Sequence, residues 1–313
     1  MQRIFMTGGT GFIGSALCRQ LLDQGHALTL LARDADKVKA QWGAAAQRIQ
    51  FVARCADLPA DAAFDCIINL AGAPVVGPRW SPARKALLRA SRTGVTTELV
   101  DWIGRAAHKP RLLISGSAIG YYGVQARSDT QALTEDAAPQ NIFMSHLCQE
   151  WEAAAARAQS HGVAVAVLRL GVVLGPLRGG LGALPQMLLP VRLGLSGQLG
   201  DGQQIISWVH LADVLGGITW LLDKGDHAPV QAYNLTAPRP CSQAELVGTA
   251  AHVMGRRTVP LAAPASVLRL LMGAQADLLL EGQRVHPQRL SDAGFVFQHP
   301  TVEGALRACI GPR

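Results

Sequence analysis

A chain of 313 residues that is 49% hydrophobic and only 16% charged can bury a large core in one or two domains, which excludes a disordered chain. Its 29 lysines and arginines against 22 acidic residues leave a net charge of +7. No basic run exceeds a pair such as Arg256 and Arg257, so the surplus reads as a mildly basic surface that attracts an anionic cofactor, and no nucleic-acid partner is expected.

The first apolar run, residues 4–6, is followed by Thr7-Gly8-Gly9-Thr10-Gly11-Phe12-Ile13-Gly14 and then by an amphipathic segment over 12–24. Strand, glycine turn and helix stand in the order a dinucleotide site requires. Gly8 permits the tight turn, Gly11 the close approach of backbone to a pyrophosphate, and Gly14 the close packing of helix on strand. The exposed N–H groups and the positive end of the helix dipole favour a phosphate there. Gly8, Thr10, Gly11, Phe12, Ile13 and Gly14 are therefore candidate cofactor-binding residues.

A second buried strand over 28–32 ends at Arg33 and Asp34, where the adenosine ribose is read. An acidic residue at that tip holds a 2′-hydroxyl, whereas an arginine accommodates a 2′-phosphate. Arg33 comes first, so NADP(H) is expected over NAD(H). A third strand is expected over 48–53, followed by Asp57 and Leu58 near the adenine end. A fourth, over 66–70, leads into Ala71 and Gly72, small residues against which a cofactor can lie. A helix over 82–107 carries Arg84, Lys85, Arg89 and Arg92, a solvated face from which one side chain can also reach a phosphate or ribose.

The fifth strand, 111–115, delivers Ser115, Ser117, Tyr121 and Tyr122 to the same edge. A long helix over 143–161 and an apolar sixth strand over 163–168 follow. Strand and helix alternate, the pattern of an α/β Rossmann fold with a doubly wound parallel sheet. The second half is less regular: a glycine loop at 178–182, a turn at 199–202, and a strand over 205–209. His210 and Asp213 then open a helix, and a strand over 233–236 leads to a helix ending near Gly255. Short apolar helices make up the tail. An NAD(P)-binding Rossmann domain is expected over 1–175, its sheet completed by later segments. A smaller C-terminal α/β substrate lobe is expected over 176–313, with a distinct tail from about 257.

Six widely spaced cysteines without a CxxC pair suggest neither a disulfide framework nor a zinc site, so no metal is expected. The stretch 163–177 is broken by Arg169, Gly171, Gly175 and Pro176, so no membrane partner is expected. A strand close to Met1 leaves no room for a signal peptide, and a cytoplasmic location is expected.

Thr7-Gly8-x-x-Gly11-x-x-Gly14 and Asn69-Leu70-Ala71-Gly72 together resemble the extended type of the short-chain dehydrogenase/reductase superfamily. Arg79-Trp80 with Ser91-Arg92, Ser117 through Gly123, Leu133-Thr134-Glu135 and Glu150-Trp151-Glu152 narrow the resemblance. So do Gly171 through Gly175, Ser207-Trp208-Val209-His210 and Gln283-Arg284-Val285-x-Pro287-x-Arg289-Leu290. Over essentially its whole length the chain is similar to the atypical epimerase family, the YfcH-like group with a C-terminal domain of unknown function. The resemblance implies a Rossmann domain, NADP(H) binding and an unidentified small-molecule substrate. By position it implies cofactor contacts from Arg33, Leu70, Ala71, Arg92 and Val173, with Val173 near the nicotinamide. Gly72 and Ser115 are candidates beside them.

Hydride transfer at a carbonyl needs a proton donor. In the superfamily a tyrosine serves, activated by a lysine four residues on, while a serine polarises the carbonyl. Ser117 is available for the last role. The Tyr-x-x-x-Lys positions, however, fall on Phe143 and Leu147. Tyr121 and Tyr122 lie just past the serine and can relay a proton or simply pack; His146 reads as a surface residue, and His210 with Asp213 as a helix cap. Two functions are expected from this pattern. One is an NADP(H)-dependent oxidoreductase or epimerase-like enzyme using Ser117 and Tyr121 or Tyr122; the other is a non-catalytic NADP(H)-binding redox sensor. Trp102 and Trp151 sit on helices that either pair subunits or pack the core, so monomer and homodimer both remain open.

Overall fold

Residues 3–7 are apolar but for the first and last, and Arg3–Thr7 (β1) forms a strand whose last four residues are buried. The computed structural model describes residues 1–177, 181–259 and 261–311. Ala27–Leu31 (β2), Ile49–Val52 (β3), Cys66–Asn69 (β4), Leu112–Ala118 (β5) and Ala164–Leu170 (β6) join β1 in one sheet. Val172–Leu174 (β7), Ile205–Ile206 (β8) and Trp208–His210 (β9) follow, then Val230–Leu235 (β10) and Cys241–Ser242 (β11). The sheet has seven parallel strands in the order β10-β6-β5-β4-β1-β2-β3. The order reverses at β1, and the crevice outside the carboxyl ends of β1 and β4 is where such a sheet takes a ligand.

Both faces are covered, which is why these strands read as continuous apolar runs and not as alternating ones. On one face, Phe12–Asp23 (α1) and the helix Leu211–Asp223 pack against Ile4, Met6, Leu30, Ile114 and Leu168. On the other lie Val95–Arg105 (here α4) and Phe143–Ala156 (α5), over Phe5, Ile67, Leu113 and Val165. Ala35–Trp42 (α2) links β2 to β3 and Pro82–Arg89 (α3) precedes α4. Trp102 and Trp151 are both buried in this layer, their indole N–H groups donating to Pro59 O (3.3 Å) and Thr96 Oγ1 (3.0 Å).

Two local features differ from the sequence expectation. The helix expected over 82–107 contains a π-helical turn, Ala90–Gly94, between α3 and α4. The extra residue in that turn re-aims the following side chains, and Arg92 ends up buried instead of on a solvated face. The strand expected over 205–209 is two strands: β8 pairs antiparallel with β11, and β9 pairs parallel with β7. The loop expected over 178–182 has its residues 178–180 outside the described residues. No helix among the described residues is long and apolar enough to cross a membrane.

The register places polar residues in two transverse rows. Thr7, Asn69 and Ser115 face one another across β1, β4 and β5, and Ser117, Arg169 and Asn234 do so across β5, β6 and β10. Beyond the sheet, a third core of Trp208, Leu184, Leu246 and Leu306 gathers β7, β9 and the helices Gln243–Val253 and Val302–Ile310.

Candidate functional site

The β1–α1 turn has the shape of a phosphate cradle. Gly8 has φ +71°, and a Cβ on it would stand 2.5 Å from the Leu70 carbonyl. Only glycine meets both demands. A Cβ on Gly14 would stand 2.1 Å from Gly8 O, so the first helical turn is pressed against the loop it leaves. Gly11 is different: apart from Gly8 O at 3.2 Å, nothing stands where its side chain would be. That open side lets an external group come onto the backbone. Gly11 is the N-cap of α1 without a side-chain cap, and no acidic residue occupies the first turn, so the leading N–H groups face outward unneutralised. Thr10 is exposed and Ile13 half-buried on the core. The ring of Phe12 lies where side chains at Gly175 and Gly182 would be, tying the loop after β7 to the cradle.

At the tip of β2 the two adjacent charges have different tasks. The Asp34 carboxylate caps α2 by accepting from the Lys37 N–H at 3.0 Å. Arg33 is exposed and makes no hydrogen bond or ion pair among the described residues. The side chain left for a ribose substituent is therefore the cation. Leu70 and Ala71 are half-buried and Gly72 exposed at the end of β4. Arg92 is only 9% exposed, donating to Ala73 O at 2.9 Å, and its guanidinium would touch a Cβ on Gly72 at 3.1 Å. Burial pulls its pKa down, and among the described residues no carboxylate pairs with it. A buried cation without a counter-charge beside the cleft suits an anionic ligand. Val173 is half-buried on β7, beside the first core. Asp57, in contrast, is held by Arg54 at 2.7 Å, and Leu58 is buried in the core.

The proton-donor region departs most from expectation. Phe143 and Leu147 belong to an apolar cluster with Leu88, Met144 and Trp80, the Trp80 and Phe143 rings 5.1 Å apart. The Lys85 ammonium lies 4.8 Å and the Arg89 guanidinium carbon 5.3 Å from the Phe143 ring centroid. Ser115 is buried, its hydroxyl accepting from Asn69 Nδ2 at 3.3 Å. Ser117, expected to polarise a substrate, is 2% exposed and donates its proton to Glu152 Oε1 at 2.6 Å. Tyr122, expected as a relay, is also 2% exposed; it donates to Asn234 Oδ1 at 2.6 Å and accepts from Arg169 at 2.9 Å. Burial pushes its phenol up to about 12, against the opposing pull of Arg169. In this structure both hydroxyls are engaged in an internal hydrogen-bond network.

Arg169 is the hub of that network. It grips Glu152 with two bonds of 2.9 Å and donates to Glu135 O at 3.0 Å. Burial alone would lower its pKa, but the Glu152 carboxylate more than reverses this and keeps it charged. Its guanidinium carbon lies 3.5 Å from the centroid of the Tyr121 ring. Tyr121 is half-buried, and its hydroxyl has no hydrogen-bond partner among the described residues. Of the candidate donors at this edge it is the one left free. His146 is exposed on α5, and His210 caps its helix, Nδ1 accepting from Ala212 N–H at 3.1 Å. Cys148, beside Ser117, is pushed up to about 12 by burial, too high for a thiolate. Sequence reasoning named Glu152 only within a family motif and Arg169 only as a break in the apolar stretch 163–177, and gave neither a role, although a lone arginine in that stretch was a visible sign that a buried partner must exist.

The sequence profile of the NAD dependent epimerase/dehydratase family matches residues 4–236. The chain belongs to this family. A second profile, a domain of unknown function (DUF1731), matches residues 263–309. The human epimerase family protein SDR39U1 is 35% identical over 313 residues, covering 98% of this chain and 99% of that protein. Its chloroplastic homologue from Arabidopsis thaliana is 35% identical over 308 residues, covering 97% of this chain and 86% of that one. The crystal structure of human SDR39U1 with NADPH superposes with a TM-score of 0.83 at 33% identity, covering 98% of both chains. The whole chain, C-terminal segment included, thus shares the extended short-chain dehydrogenase-like architecture of these epimerase family proteins.

Proposed function

We propose that this epimerase family protein binds NADP(H) and acts as an oxidoreductase on a small carbonyl or hydroxyl compound, with Tyr121 as the proton relay. The observation that carries the cofactor choice is the division of labour at the β2 tip. Asp34 is spent on a helix cap while Arg33 stays free for a 2′-phosphate. The cradle of Gly8, Gly11 and Gly14 fits a pyrophosphate, and the buried Arg92 and half-buried Val173 fit the remainder. The NADPH in the human relative's crystal structure supports the same choice over NAD(H). NADP(H) bound there supplies or takes up a hydride. Tyr121 holds the proton for the substrate oxygen, its ring kept in place over Arg169. A cytoplasmic setting is part of the proposal, since all six cysteines are buried and unpaired.

A second reading, a non-catalytic NADP(H) sensor, is favoured by the apolar cluster where the Tyr and Lys would stand. Loss of NADPH absorbance against a carbonyl panel, with Tyr121→Phe and Tyr122→Phe compared, decides between them. The enzyme reading expects Tyr121→Phe to lower kcat by about 100-fold, with Tyr122→Phe acting mainly on stability. Tight NADPH binding without turnover on any compound leaves the sensor. For the cofactor, Arg33→Ala is expected to weaken NADPH by about 10-fold or more while leaving NADH unchanged; an unaltered affinity ratio would remove Arg33 from the role.

A further inference from the structure

The turn that carries Tyr121, Ile119–Tyr122, is a short 3-10 turn closed on itself by the Gly123 N–H bond to Gly120 O at 3.2 Å. So short a turn does not hold its own geometry, and its position is set by what grips it from outside. From α5, the Ser145 hydroxyl donates to Tyr121 O at 2.5 Å. From the opposite direction comes the C-terminal segment. Gln283 directs its side-chain amide into the turn, donating to Ile119 O at 3.1 Å and to Gly123 O. Those two carbonyls bracket the turn, so one side chain spans both of its ends.

Gln283 is itself firmly seated. The segment 282–286 runs as a strap between two neighbours and is stitched to both. On one side, Gly282 O accepts from Gln125 N–H at 3.0 Å, Arg284 N–H donates to Gln125 Oε1 at 2.8 Å, and Arg284 O accepts from Leu133 N–H at 2.7 Å. On the other, Gln283 N–H donates to Ile205 O at 3.1 Å, Ser207 Oγ donates to Gln283 O at 2.7 Å, and Val285 N–H donates to Ser207 Oγ at 2.9 Å. A Cβ on Gly282 would stand 2.5 Å from Ile205 N, so the strap lies directly against β8 and only glycine fits there.

We propose that Gln283 is a positioning residue for Tyr121: through its amide the C-terminal segment, which matches a domain of unknown function, fixes the turn that presents the phenol and thereby completes the reaction site. The inference rests on the reading of Tyr121 as proton relay. It assigns the first half of the chain to cofactor binding and makes turnover depend on a residue more than 160 positions downstream of the tyrosine. Among the described residues no hydrogen bond joins the strap to the cofactor cradle, so binding and turnover separate under mutation.

The test uses the full-length chain with Gln283→Leu and Gln283→Glu, both of which remove the amide donors, and Ser145→Ala, which releases the turn from the α5 side. Amide hydrogen exchange at Gly123, NADPH affinity, and kcat and KM on the compound turned over by the wild type are measured together. The expected result is exchange at Gly123 faster by about 10-fold, kcat lower by about 10-fold, and KM and NADPH Kd within about twofold of wild type. Should Gln283→Leu fail to fold, the near-isosteric Gln283→Glu and the independent Ser145→Ala carry the same comparison. Unchanged exchange at Gly123 overturns the proposal, and so does faster exchange with unchanged kcat. A wild-type chain that turns over nothing overturns the oxidoreductase reading alone; the exchange measurement still decides whether Gln283 holds the turn.

Discussion

Arg169 and Glu152 show how a single buried charge organises its surroundings. The pair is 6% and 14% exposed, so neither partner has water to fall back on. Its net contribution to stability is small, because desolvation offsets most of the attraction, but removing one partner leaves the other uncompensated. Glu152→Ala is therefore expected to destabilise the fold by about 3–5 kcal/mol, read as a fall in the denaturant midpoint at constant slope. A loss below about 1 kcal/mol, the range of an exposed pair, would mean that water reaches Arg169. The same variant frees the Ser117 hydroxyl, so it distinguishes the network's structural role from any contact of Ser117 with substrate.

At the scale of elements, the helix Leu211–Asp223 is anchored at its start by two side chains with different tasks. His210 caps it, while the Asp213 carboxylate, buried among apolar neighbours, accepts from the backbone N–H groups of Gln298 (2.6 Å) and His299 (3.1 Å). The His210 and His299 rings are 4.0 Å apart. Burial first, and the neighbouring His299 second, lower the His210 pKa from 6.5 to about 4. The unfolded chain thus binds this proton before the folded one does. Stability is full above pH 6.5 and falls as the pH drops from there to about 4, by up to about 3 kcal/mol. Asp213 works in the opposite sense: burial raises its pKa, so the folded state takes up that proton more readily and offsets part of the loss. His210→Asn keeps a good capping side chain and removes the titration. The expected outcome is a flatter stability profile between pH 4 and 6.5 in urea titrations, and an unchanged slope would assign the acid loss elsewhere.

For the whole molecule, the informative element is β10. It comes from the second half of the chain, yet it pairs with β6 over six residues and closes one edge of the main sheet. The helix Leu211–Asp223 likewise covers Ile114, Ala166 and Leu168 from the second half. A fragment ending at residue 175 would expose that apolar face and the β6 edge. It is expected to be insoluble or molten, whereas the full chain unfolds in one cooperative transition by circular dichroism. A fragment with a sharp transition of its own would show that residues 1–175 fold autonomously.

The glycine spacing, the Arg33 tip and the alternation of apolar strands with helices were legible because each depends on a few neighbouring residues. A left-handed Gly8, a cap at Asp34 and a strand buried on both faces leave marks within one turn or one strand of themselves. The vacated Tyr and Lys positions were legible for the same reason. What replaced them was not. Whether Ser117, Tyr121 or Tyr122 keeps a free hydroxyl depends on Glu152, Arg169 and Asn234, which lie apart in sequence and meet only across the carboxyl edge of the sheet. The π turn that buries Arg92 was hidden too, since helical periodicity looks alike on either side of one added residue. Sequence alone determined the nucleotide cradle, a local backbone shape; the tertiary structure decided which of the edge hydroxyls keeps no partner among the described residues, because hydrogen bonds between distant segments settle that.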